Sequence, residues 1–542
     1  MKERRNKQSK SKTSPQPVNT STRCSHVLPD IHVMNRVGYV LFFLLAWLWA
    51  SWWMGDVLRI AYERSFVVAD ATLMYWLWQQ PLGWLWIIGR ALLTLYRLPA
   101  VGGLLVAALL TVGSGLLGYC LRLPQRWRLT QYLPAAIWMT WTASEGLNLF
   151  YMNEPGRILA VPFICVAVCV VAALIIWLLH RQQRPVLSTP AQPAPCSLFF
   201  VLLFLIFYPI LFLLPALYLN HRHPYLRPLT RMQVQLLHND YEGMIRTAHE
   251  HAEMSYRQMA GYYVIALAHT GQLADQLFDI KLEFDSLNTY GYHRQPNQCM
   301  NYHISDCNYH AGLIRAARHN IIEELTMDGP SLYTLKFMVK ISLIEGDWAL
   351  ARKYLHILKK VPFEGDFISQ YEPMVEHPEL VQADPEFAAV IKMLPPRHSI
   401  EQLHMKPSFV GYYVDLRSFP NSEAQTWSTV ACLYGKRMPD FLMRCQQFVG
   451  SMPPRSIAEG LIIQAQKNPA VLKAFPQLKL GMDRFDLFLQ DAVPYIRTDR
   501  QQGAEALFEK YKGYYPYYYY FGNQRSTRKL EDETMHNKAG VN

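Results

Sequence analysis

Five stretches of the chain are apolar over about the length of a spanning helix: Val37–Met54, Pro99–Leu121, Tyr132–Tyr151, Ile158–Leu179 and Leu198–Leu219. A hydrocarbon core about 30 Å thick takes roughly 20 helical residues to cross, so each stretch is predicted to be a transmembrane helix. Only the third holds an acid or a base, Glu145. Between the first two, residues 66–97 are apolar but broken by Asp70, Gln79-Gln80-Pro81 and Arg90, and they carry Trp76, Trp78, Trp84 and Trp86. Tryptophan settles at headgroup depth, which predicts two short interfacial helices hinged at Pro81. In the second span, Gly102, Gly103, Ala107, Ser114 and Gly118 provide a small-residue face for close helix packing.

After Leu219 no apolar run reaches spanning length, and the pattern becomes helical with frequent breakers. The clearest unit is residues 335–362. Its first helix is predicted to bury Phe337, Ile341 and Leu343, its turn is Glu345-Gly346-Asp347, and its second helix presents Ala351, Leu355 and Leu358 before Pro362. An earlier unit, residues 262–280, has Gly271 and Ala274 where the later one has Gly346 and Ala349. Such helix pairs resemble tetratricopeptide repeats, and each leaves an apolar face that only stacking can cover. The fold expected is all-α: a bundle of about five spans with interfacial helices, followed by a soluble TPR-like α-solenoid. The expected domains are a disordered basic tail (1–36), the transmembrane domain (37–219), the helical-repeat domain (220–512) and an aromatic, then polar, tail (513–542).

Charge changes the picture from affinity to orientation. The formal net charge is +11 with only 18% charged residues. Residues 1–219 contain 18 Lys/Arg and 7 Asp/Glu, whereas residues 220–542 contain 35 of each. A nucleic-acid binder concentrates positive charge on its folded polar domain, and here that domain is neutral. With five spans, the excess falls on residues 1–36 (+6), 122–131 (+3) and 180–197 (+2). The positive-inside rule then places the N-terminus in the cytoplasm and the C-terminal domain outside it. The first apolar segment starts too far in and lacks a small-residue cleavage site, so an uncleaved anchor is expected rather than a signal peptide.

Candidate chemistry is sparse. Cys299, His303, Cys307 and His310 form C-x3-H-x3-C-x2-H, a set of zinc-type ligands within 12 residues. The same cysteines also permit a 299/307 disulfide, and 432/445 a second, in an oxidising compartment, or stand as unpaired buried or half-buried thiols. Asp56, Glu63 and Asp70 follow the first span, where a carboxylate could serve as general base on a lipid-linked substrate, with Arg90 and Arg97 placed to clamp its phosphate. Mutually balancing headgroup charges are the alternative. Glu145, beside Ser144, is an ionisable group inside a span, a relay or substrate contact unless it reaches the interface. Arg157 is expected to pair with Glu154. Residues 511–521, YKGYYPYYYYF, offer either a stacking surface for sugars or a packing surface for the last repeat. No phosphate-binding loop, dinucleotide fingerprint, nucleophile elbow or H-E-x-x-H motif occurs, and no cofactor is expected.

QQPLGWLWIIGRALLTLYRLPAVGG, YYVIALAHTGQLADQLF, AGLIRAARHNIIEEL followed by GDWALARKYL, and YVDLRSFPNS together resemble an uncharacterised family of Gram-negative bacterial multi-pass inner-membrane proteins. The resemblance runs from about Val37 to Phe521 and departs at the Tyr-rich end. It implies an architecture, an inner-membrane anchor with a periplasmic repeat domain, and no activity. The function expected is an interaction scaffold of the cell envelope, with the lipid bilayer and a protein partner of the repeat groove as its contacts. A glycan- or lipid-modifying membrane enzyme is the alternative, and a transporter component the third.

Overall fold

The structure is a computed structural model, described here over residues 31–144, 154–181, 198–222, 224–253, 256–282, 301–395 and 422–522. Among these residues every regular element is a helix, and no strand occurs. Three helices are long and apolar enough to cross a membrane: Asn35–Trp53, Pro99–Cys120 and Arg157–Leu179. The first is α1 (Ile31–Leu48) continued through a π-turn at Trp49–Trp53, the second is α5 (Pro99–Cys120), and the third lies in α7 (Arg157–Arg181). Of the other two expected spans, α6 (Leu133–Ser144) coincides with the start of one and α8 (Leu198–Arg222) with the other. Their outward side chains remain apolar, including Val40, Leu44, Val168, Leu174, Ile210 and Leu214.

Residues 55–97 fold as α2 (Gly55–Glu63), α3 (Ala71–Trp78), α4 (Gly83–Leu93) and a 3-10 turn. The expected hinge lies at Gln79–Leu82, where Leu82 takes φ 62°. Asp70 caps α3, its carboxylate accepting from the Thr72 amide at 3.0 Å. The small residues of α5 do pack closely: a Cβ at Gly102 would enter the Tyr96 ring, and one at Gly103 would meet Ser51.

Among the described residues of the remainder, one turn recurs five times. The helix pairs are α9 (Leu226–Leu237) with α10 (Tyr241–Glu250), α11 (Arg257–His269) with α12 (Leu273–Gln276), α13 (Asn301–His310) with α14 (Ile314–Met327), α15 (Leu332–Glu345) with α16 (Trp348–Leu358), and Ser422–Tyr434 with Met438–Arg444. Each first helix ends on a left-handed residue: Asn239, Gly271, Gly312, Gly346 and Lys436, with φ 55°, 71°, 78°, 75° and 54°. Each turn also carries the same two hydrogen bonds. In the fourth, Gly346 N–H donates to Leu343 and Asp347 N–H to Ser342; in the second, Gly271 donates to Ala268 and Gln272 to Leu267. This is the Schellman closure, which satisfies carbonyls that a helix end leaves open. Asp240 and Asp347 then cap the following helices through their carboxylates.

The two units read from sequence are therefore the second and fourth hairpins, with two differences. The second hairpin's return helix is a single turn, α12. In the fourth, Ala351 is the fully buried alanine at the crossing while Ala349 is exposed. Helices α17 (Gly365–Glu376), α18 (Glu379–Ala383) and α19 (Pro385–Lys392) follow. One apolar core runs without interruption from Phe42 of α1 through Leu58 of α2 to Phe337, Tyr371 and Val390. A second holds the remaining hairpins with the C-terminal helices. Packing thus crosses residue 220, where the sequence pattern changes.

Candidate functional site

The first core ends in a polar cavity of about 220 Å³ between α2 and the hairpins. Three helices supply its walls by ordinary helical spacing. Arg59, Ile60 and Glu63 come from α2 and Arg64 from the residue that ends it; His303, Asp306 and His310 from α13 at i, i+3 and i+7; Tyr333, Lys336, Phe337 and Lys340 from α15 at i, i+3, i+4 and i+7. Gln233 of α9, Tyr371 of α17 and Glu386 of α19 complete it. His238, Asn239 and Gln370 are exposed at its mouth, while Asp306, Tyr309, His310 and Glu386 are buried at its floor.

Around this cavity the helices of residues 55–97 are clasped by the hairpins. Tyr62 donates to Glu364 at 2.6 Å, Glu63 accepts from Lys336 at 2.8 Å, Arg64 lies 3.4 Å from Glu324, and Leu332 N–H donates to the Ser65 carbonyl. Asp70 accepts from Lys360 at 2.7 Å, and Arg97 pairs with Asp366. The Trp76 ring lies between the Arg90 guanidinium and Gly329, where a Cβ would sit 3.0 Å from the ring.

The candidates expected to act on a lipid-linked substrate do not converge. Arg90, 1% exposed, is held by both Glu154 oxygens at 2.9 Å, and so is committed to a carboxylate rather than open to a phosphate. Arg97 is committed to Asp366. Glu154 is thereby taken, and Arg157 lies over the Trp141 ring instead. Asp56 sits by Arg227 and Arg231; burial pushes its carboxyl up against both cations. Asp70 is the cap of α3, held well below the usual carboxylate range by Lys360 and Thr72. Only Glu63 lines the cavity. It is 2% exposed, and burial, which raises its pKa, is outweighed by Lys336 and Arg59. Glu145 lies outside the described residues.

Of the proposed zinc set, Cys299 also lies outside the described residues. His303 and Cys307 are one helical turn apart, with Sγ 3.7 Å from Nε2. His310 turns to His269, ring nitrogen to ring nitrogen at 2.8 Å. Among the described residues no three His, Cys, Asp or Glu side chains are grouped to hold a metal ion. Burial lowers the pKa of His269 to about 4 and that of His310 well below its ordinary value, so the pair is neutral. Cys432 and Cys445 are buried free thiols.

The chemistry of the floor lies in residues the sequence reading passed over. Asp306 is 6% exposed and accepts from Tyr262 at 2.8 Å and Tyr333 at 2.6 Å; Tyr262 in turn accepts from Gln233 at 3.0 Å. Burial raises its pKa to about 7, against the pull of both tyrosines. Beside it, Lys340 reaches both Glu386 oxygens at 2.9 Å, and Tyr309 donates to the same carboxylate. Burial lowers the Lys340 pKa, but Glu386 more than offsets this and the amine stays charged. A signal for these groups exists. Asp306 stands inside the very stretch read for metal ligands, and Lys336 and Lys340 are i,i+4 in an otherwise apolar helix.

The aromatic tail is a core element. Helix Tyr515–Phe521 buries Tyr515, Tyr518 and Phe521 against Phe278, Tyr434 and Phe488. Its hydroxyls are used internally, Tyr515 donating to the Leu433 carbonyl and Tyr518 to that of Tyr434.

No curated protein and no solved structure matches the chain. Residues 143–522, which include the hairpins and all of the cavity except the α2 wall, match a family described as "Family of unknown function (DUF6057)". The match covers more than half of the sequence, and the chain belongs to that family.

Proposed function

We propose that the protein is a membrane-anchored binding protein of the bacterial cell envelope. About five spans and the interfacial pair α3–α4 hold a TPR-like repeat domain at the periplasmic face, and a small polar ligand binds between the domain and α2. The sequence supports the membrane part through its positive-inside charge pattern, and the fold through three apolar helices with apolar outward faces. An open groove for a peptide is the usual site of a helical array. Here the observation that supports binding is the cavity between α2 and the hairpins, and the reading moves from an open groove to that cavity.

One observation carries it: a cavity whose floor concentrates buried, titratable and hydrogen-bonding groups while its mouth is exposed. Concave sites with convergent polar groups and shifted pKa values are where binding is expected. Convergence of Asp56, Glu63 and Asp70 would favour the enzyme alternative, and of the three Glu63 lines the cavity.

The test is a thermal-shift screen of small polar compounds on the detergent-solubilised full-length protein, alongside Gln370→Trp, which fills the mouth from an exposed position. A compound at about 100 times its Kd stabilises by about 2.7 kcal/mol. We expect such a shift in the wild type and its loss in Gln370→Trp with unchanged unliganded stability. Equal shifts in both proteins, or none in either, overturn the reading. Alkaline phosphatase fused after residue 230 is expected to be active, and a cytoplasmic reporter there inactive.

A further inference from the structure

This inference rests on the binding reading above and names the class of ligand. Each of the other carboxylates of the cavity has a cation in contact: Glu63 has Arg59 and Lys336, and Glu386 has Lys340. Asp306 has none among the described residues; the groups that donate to it are the neutral hydroxyls of Tyr262 and Tyr333. Lys340 lies near, but its ammonium is spent on both oxygens of Glu386. A buried carboxylate with no cation either holds a proton or takes its counter-charge from a ligand, because removing an uncompensated charge from water is costly. Here the missing counter-charge faces a cavity, not a packed wall.

We propose that the cavity takes a small organic cation, a primary ammonium whose N–H groups bond the Asp306 carboxylate. Three features fit an ammonium rather than a metal ion. Asp306 is the single anionic ligand at that point, and a hard divalent cation requires several oxygens. The neighbouring rings of Tyr333, Tyr309 and Phe337 provide aromatic surface of the kind that attracts organic cations and packs their hydrocarbon portion. The two tyrosine hydroxyls already fix the carboxylate's orientation, so its free lone pairs are set before the ligand arrives. The rest of the cavity's charge is internally paired, so the ligand brings one positive charge and no compensating anion.

The experiment uses isosteric pairs that differ in the charge of one end group, on the solubilised full-length protein by calorimetric titration: 2-phenylethylamine against 2-phenylethanol, and butan-1-amine against butan-1-ol. At about pH 8 the amines are protonated and the carboxylate ionised. At least one amine is expected to bind at least about 30-fold more tightly than its alcohol, and Asp306→Asn to abolish the difference. Tyr333→Phe, which removes one of the two donors that orient the carboxylate but keeps the ring, is expected to narrow the preference without abolishing it. Amine and alcohol binding equally, or a preference that survives Asp306→Asn, overturns the cation assignment. If no amine binds while other compounds do, and Gln370→Trp blocks them, the assignment falls and the cavity reading stands. If nothing binds at all, both fall.

Discussion

Lys336 reaches across 273 residues of sequence to place its ammonium 2.8 Å from the buried carboxylate of Glu63. The same ammonium lies 3.0 Å from Glu364, whose other partner is Tyr62 of α2. One lysine of the fourth hairpin thus joins α2 to α17.

Removing that lysine leaves two buried carboxylates with weaker compensation. Breaking a buried pair from one side costs about 3–5 kcal/mol, and Glu63 keeps Arg59, so Lys336→Met is expected at the low end, about 3 kcal/mol. Thermal unfolding measures this. The double variant with Glu63→Gln should recover part of the loss, and a double variant no better than Lys336→Met alone would count against the coupling.

The cavity floor and His269, which contacts it through His310, give stability two opposing dependences on pH. Asp306 has its pKa raised to about 7 from 3.8, so the folded state holds a proton that the unfolded state releases. Its stabilising contribution is complete below about pH 4 and is lost as pH rises through 7. His269 is lowered to about 4 from 6.5, so its contribution is present above about 6.5 and lost as pH falls toward 4. Between pH 6.5 and 8 only the Asp306 slope operates of these two. The titratable and charged groups facing Asp306 are Tyr262 from α11, Tyr333 and Lys340 from α15, Glu386 from α19 and Cys307 on its own helix. Chemical denaturation at pH 6.5 and 8 should show falling wild-type stability and a flatter line for Asp306→Asn.

Gly271 and Gly346 hold the same turn in two hairpins, with φ 71° and 75°. Nothing lies within 4 Å of a Cβ at Gly271, and only Trp348 at 3.8 Å at Gly346, so alanine is opposed by backbone conformation and not by space. Each Gly→Ala change should cost about 1 kcal/mol, and the two should add. Unequal costs in denaturant titrations would mean that the turns are not equivalent.

The tyrosines of the C-terminal helix separate by what their hydroxyls touch. Tyr515→Phe and Tyr518→Phe each delete a hydrogen bond to a buried carbonyl and are expected to cost about 1 kcal/mol. Tyr519→Phe should be near neutral. If all three melt like the wild type, the hydroxyl bonds contribute nothing to holding the tail.

The helical class, the break at Pro81 and the second and fourth hairpins are all visible in the sequence, because glycine at the end of an apolar helical stripe has few other meanings. The first and fifth turns are not visible, since Asn239 and Lys436 take the left-handed conformation without being glycine. The third is obscured because its first helix, NYHISDCNYH, shows no apolar stripe before the glycine. The site was only partly legible. Glu63 was named, but as one of a row of headgroup charges. Asp306 was screened by the cysteines and histidines around it, whose spacing is a stronger pattern than a lone acid. Lys336, Lys340 and Glu386 read as solvated charges because their partners lie in other helices. Nothing in local periodicity reports that α2 is covered by a domain beginning more than 150 residues later.

The Glu63–Lys336 contact also imposes a delay. At about 5–20 residues per second, roughly 15 to 55 s separate the synthesis of the carboxylate from that of its ammonium partner. Throughout that interval α2 carries an acidic, half-apolar face with only Arg59 to balance it. The hairpin domain therefore completes a surface that has been waiting since early in translation, and premature release of the chain leaves that surface open.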